Sequence, residues 1–117
     1  MGSHKGEACY LYEDMGFFKL LLGVSDRDIL TDYAAGRLSA IHDYDRKHNS
    51  DFARTLYLYL LHQNSIQAAA DASFCHRNTV NHRIRIIREE LGLELDDAIV
   101  CMELMTAFLI EEYLDAF

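Results

Sequence analysis

The side chains best suited to chemistry in this chain crowd into one short stretch. From Ser65 it reads SIQAAADASFCHRNTVNHRIRIIREELG, and His76, Arg77, Asn78, Thr79, Asn81, His82, Arg83, Arg85 and Arg88 all fall within residues 76–88. Asparagine can bond adenine in two places and arginine can do the same to guanine, while further arginines suit phosphates. The chemistry is therefore recognition rather than bond making. At 100° per residue, Ile84, Ile87 and Leu91 fall within about 40° of Val80, and the four make a buried stripe. Asn78, His82, Arg85 and Glu89 fall on the opposite face, and Thr79, Asn81 and Ile86 flank it. Arg77, Arg83 and Arg88 lie nearer the core boundary, where they can reach sideways. The base-reading candidates are Asn78, Asn81, His82 and Arg85. The phosphate candidates are Thr79, Arg77, Arg83 and Arg88, with Arg77 beside the positive end of its helix.

These groups need a scaffold, and the flanking residues supply one. Ser65 is placed to cap a helix of about eight residues whose Ala68, Ala69, Ala70 and Ala72 let another helix approach closely. Ser73, Phe74 and Cys75 make a turn, His76 caps a second helix running to about Leu91, and Gly92 ends it. A short alanine-rich helix, a tight turn and a longer arginine-rich helix form a helix-turn-helix layout over about 65–92.

The rest of the chain predicts an all-α domain, because there is no proline and apolar residues recur at three- and four-residue intervals. Tyr10 to Tyr12 reads as a short extended lead-in and Glu13 to Leu22 as a short helix ending near Gly23. Ser25 or Asp26 caps a helix that turns Ile29, Leu30 and Tyr33 inward and runs to about Ala35; Gly36 allows a bend before a further piece, Leu38 to Lys47. Ser50 caps a helix carrying the stripe Phe52, Leu56, Tyr59 and Leu60, and Asn64 stops it in a left-handed conformation. One multi-helix bundle over 10–117 is expected, with residues 1–9 as lead-in. Met1-Gly2-Ser3-His4 reads as an expression scar, so the chain is expected to be a fragment with its upstream partner missing.

Charge is segregated. The 117 residues carry a formal charge of −8, which by itself argues against a polyphosphate partner. Residues 1–71 contribute −3 and residues 89–117 contribute −9, whereas residues 72–88 hold four arginines and no acid. The basic island coincides with the second helix of the motif.

The segment looks like the C-terminal helix-turn-helix domain of PucR/CdaR-type bacterial transcriptional regulators, in which a capped SIQAAA run, a Phe-containing turn and an HRNT signature recur. The YEDMGFFKLLL segment and Tyr44-Asp45 resemble the same family's lead-in, and the HRNT turn is also similar to that of Fis-type DNA-binding domains. The resemblance implies a homodimeric, sequence-specific domain that binds double-stranded DNA through the major groove, with sensory or effector domains upstream. Asn81, His82 and Ile86 stand where that family usually has Arg, Tyr and Arg, which implies weaker or differently specific binding. The alternative is a protein-interaction or dimerisation module on the same scaffold, without appreciable DNA affinity.

Other functions find little support. Cys9, Cys75 and Cys101 are an odd, widely spaced set, which suits a reduced, cytoplasmic protein. His76 and His82 fall on different helix faces, so neither metal nor another cofactor is expected. His42, Asp43, Asp45 and His48 read as a solvated helix end. With no glycine-rich phosphate loop and no partnered nucleophile, an enzyme is not expected. Asp97 to Leu114 has 13 apolar residues in 18, but its glutamates argue against a membrane span. That helix, about Asp96 to Leu114, is apolar on most sides. One reading makes Phe108 and Leu109 the centre of a dimer surface; the other encloses the helix within its own domain.

Overall fold

The computed structural model describes residues 16–116, apart from the side chain of Phe18. Within that range the protein is all-helical, with six helices: α1 (Phe17–Leu22), α2 (Arg27–His48), α3 (Phe52–Leu61), α4 (Ile66–Ser73), α5 (Arg77–Glu89) and α6 (Ala98–Ala116). The expected extended segment at Tyr10 to Tyr12, the first residues of the predicted first helix, and Cys9 lie outside the described residues.

Asp26 starts α2, its carboxylate accepting the Asp28 N–H at 2.9 Å. Leu30, Ala34, Leu38 and Ile41 line the buried side of that helix, which packs along α6. Two expectations fail here. The helix runs through Gly36 without interruption, because one interior glycine weakens a helix by only about 1 kcal/mol and the stripe on either side of it is continuous. Ile29 is 59% exposed, because it sits about 100° round the helix from Leu30 and off that stripe. Asn49 ends α2 at φ 49°, a left-handed residue whose N–H bonds back to the Asp45 carbonyl.

The innermost helix is α3. Phe52, Thr55, Leu56, Tyr57, Leu58, Tyr59 and Leu60 are all buried, and the helix touches α2, α4, α5 and α6. A single stripe therefore understated it: Tyr57 and Leu58, off the predicted face, are fully enclosed. Its N-terminus is not capped by Ser50. The Asp45 carboxylate reaches across the loop and accepts from the Phe52 N–H at 2.7 Å, the Ala53 N–H at 2.9 Å and the Ser50 hydroxyl at 2.7 Å. The left-handed stop at the other end falls one residue before the expected Asn64, at Gln63 (φ 54°). The Asn64 N–H bonds to the Tyr59 carbonyl at 2.8 Å and the Gln63 N–H to that of Leu60 at 3.2 Å. Asn64 follows, also left-handed at φ 61°, and its side-chain amide donates to the Leu95 carbonyl at 3.2 Å.

Asp97 starts α6 by accepting the Ile99 N–H at 2.8 Å. The helix buries Leu104, Ala107, Phe108, Leu109 and Ile110. Phe108 meets Tyr57 edge-on with ring centroids 5.4 Å apart. Phe108 and Leu109 are each only 3% exposed, so they belong to the domain's own core and cannot be the centre of a dimer surface. The apolar residues α6 does present are Ile99 and Met102, in its first turns. No described helix is long and apolar enough to cross a membrane.

Candidate nucleic-acid interface

The geometry of the two-helix motif follows from its caps. The Ser65 hydroxyl accepts the Ala68 N–H at 3.0 Å and opens α4. Ala69 and Ala70 are buried, and their small side chains let α4 lie against both α3 and α5. At its end the Cys75 N–H bonds to the Ala70 carbonyl at 3.0 Å and the Phe74 N–H to that of Asp71 at 3.4 Å. These are the paired bonds of a Schellman stop, with Phe74 in the left-handed position at φ 57°. His76 then starts α5, its Nδ1 accepting the Asn78 N–H at 3.1 Å. Gly92, at φ 70°, marks the exit.

On α5 the predicted faces are realised. Val80, Ile84 and Ile87 are buried, and Leu91, just beyond the helix, is half-buried. Arg77, Asn78, Thr79, Asn81, His82 and Arg85 are exposed together. Arg85 and His82 are in contact, a guanidinium nitrogen lying 2.9 Å from His82 Nδ1. The pair holds one guanidinium close along the helix surface while Arg77 stands free at the first turn. Ile86 is half-buried against the core, so the missing basic residue there is replaced by packing rather than by a bare apolar surface.

Arg83 and Arg88 differ from the other cations. Arg83 donates to the Thr55 hydroxyl at 3.0 Å, and its guanidinium carbon lies 5.7 Å from the centre of the Phe52 ring. Arg88 donates to the Tyr59 hydroxyl at 3.2 Å and pairs with Asp96 at 3.0 Å. Burial works against the charged form of Arg88, but the bonds to Tyr59 and Asp96 outweigh it and raise its pKa. Both arginines bind α5 to its own domain. Their wheel position near the core boundary was the signal; what the sequence lacked was the location of α3.

The polar group around His42 is not a simple solvated end. His42 Nε2 lies 2.9 Å from Glu111 Oε2, joining α2 to α6, while Asp45 is committed to the α3 cap. Phe74 was legible as a turn residue, but not its left-handed backbone or its 97% exposure.

An alanine-rich helix that buries Ala69 and Ala70, a Schellman turn and a second helix presenting amides and cations to solvent define a helix-turn-helix domain of the DNA-binding class. Comparison with known proteins carries this further. The chain belongs to the PucR C-terminal helix-turn-helix domain family, whose model matches residues 52–110. It is 28% identical over 88 residues to the proline-responsive transcriptional activator PutR of Bacillus subtilis (strain 168). Those residues are 75% of this chain and 21% of that protein, so the chain spans about a fifth of the relative's length. No solved structure matches the chain. The domain is thus of the transcriptional-regulator type.

Proposed function

We propose that this domain recognises specific sequences in double-stranded DNA by placing α5 in the major groove. The observation that carries the reading is the exposed set on α5: Asn78, Asn81, His82 and Arg85 offer base-edge bonds, flanked by Arg77 and Thr79 for phosphates. Arg83 and Arg88 act mainly by fixing α5 on α3 and Asp96, while their charge still adds to the local positive field. The short match to a much longer activator supports an upstream sensory or effector region in the whole protein, and the module would work as a homodimer in the cytoplasm.

Fluorescence anisotropy with a random-sequence duplex at low salt tests DNA binding directly. If each protomer neutralises about two phosphates, with Arg83 and Arg88 held back against the domain, a dimer gives a slope of log K against log salt of roughly −4. Arg77→Ala and Arg85→Ala should each weaken binding. A slope near zero, or undiminished affinity in the double variant, would sink the proposal. Selection from a random duplex pool should then return a two-fold symmetric consensus; an asymmetric one would contradict the homodimer.

A further inference from the structure

Phe74 is set in the molecule at two disadvantages. Its backbone is left-handed at φ 57°, a conformation disfavoured for every side chain larger than glycine and least so for asparagine. Its ring is 97% exposed, so no contact within the domain compensates that strain. A lone exposed apolar side chain is ordinary on a protein surface. An exposed ring at a Schellman position, where glycine would remove both disadvantages, is not explained by folding. The place matters as well: Phe74 lies two residues before the cap of α5 and three before the exposed Arg77. It therefore stands at the positive end of the α5 dipole, beside the exposed cation Arg77.

We propose that Phe74 is a DNA-contacting residue, its ring packing against the deoxyribose of the strand whose phosphate Arg77 engages. Sugar carbons offer the apolar surface that the ring lacks within the domain, and the adjoining positive helix end brings the backbone within reach. The inference rests on the DNA-binding reading above, and it adds an uncharged contact to a surface otherwise made of cations and amides.

Opposed effects on stability and binding test it. Phe74→Gly relieves the left-handed strain, so its thermal midpoint should match or exceed that of the wild type. Its affinity for the random duplex should nonetheless fall about tenfold, the loss expected from leaving most of a phenyl ring unburied. Phe74→Asn, which tolerates the same backbone, should lose the same affinity, and Phe74→Tyr should retain it. Because no charge is removed, the salt slope should stay at the wild-type value, whereas Arg77→Ala should reduce it by about one per protomer. Wild-type affinity in Phe74→Gly overturns the proposal and would make the ring a contact for another protein. Absence of binding by the wild-type domain would instead refute the DNA reading on which it rests.

Discussion

Arg83 and Arg85 are two positions apart on α5 and do different work. Arg83 turns back to the Thr55 hydroxyl and the Phe52 ring, whereas Arg85 stays at the surface against His82. Arg83→Ala should therefore lower stability by about 1–2 kcal/mol, through a lost hydrogen bond to a buried hydroxyl and lost packing of the stem. For a domain of this size that is a fall of several degrees in the thermal midpoint, about 4 °C or more. Arg85→Ala should leave the midpoint unchanged and weaken DNA binding. Thermal melts beside anisotropy separate the two, and an unshifted midpoint for Arg83→Ala would contradict its buttressing role. Helical geometry alone placed Arg83 at the edge of the core and Arg85 opposite it. What lay beyond sequence was the neighbour, since Thr55 is 28 residues away. Phe108 and Leu109 repeat the lesson: their apolar character was plain, but only the folded structure shows that both are enclosed, Phe108 against Tyr57 of α3.

At the scale of elements, the parts controlled by local chemistry were the legible ones. Ser65 and His76 act where their side chains place them, and the left-handed stop of α3 falls at Gln63, one residue from the expected Asn64, because capping and left-handed stops need only adjacent residues. Gly36 misled because propensity yields to a continuous buried stripe. The start of α3 misled for another reason: its capping carboxylate comes from Asp45, on the preceding helix and seven residues before Phe52. That one side chain satisfies two N–H groups of α3 and fixes the corner between α2 and α3. Asp45→Ala should cost about 2 kcal/mol, at the upper end for a helix cap, because two orphaned donors are left and the interaction is charge-assisted. Ser50→Ala should cost clearly less. Equal melting of the two variants in denaturant titrations would show that Asp45 is not the cap.

Across the whole molecule, charge does two jobs. Between α2 and α6 the bond from His42 to Glu111, aided by that carboxylate's charge, raises the histidine pKa above its ordinary 6.5 against the opposing effect of burial. The folded state thus favours protonated His42, so its stabilisation is full below about pH 6.5 and fades as pH rises through the raised value. The thermal midpoint should fall across that window in the wild type and fall less in Glu111→Gln; parallel pH profiles would contradict this. The larger arrangement is the basic island of residues 72–88 in a chain that is otherwise acidic. Glu89, Glu90 and Glu94 are exposed just where α5 ends, so they repel a duplex at one end of the helix while Arg77 attracts it at the other. They also sit near the negative end of the helix dipole, where their charge is slightly unfavourable for stability. An arrangement that orients DNA at a small expense in stability predicts opposite changes on neutralisation. Replacing all three by glutamine should leave the domain as stable or slightly more so and raise affinity for random duplex about three- to tenfold at low salt. The gain should shrink as salt is added, and discrimination between selected and random sequences should narrow. Unchanged random-duplex affinity in this triple variant would mean that the acids next to α5 do not shape its approach to DNA.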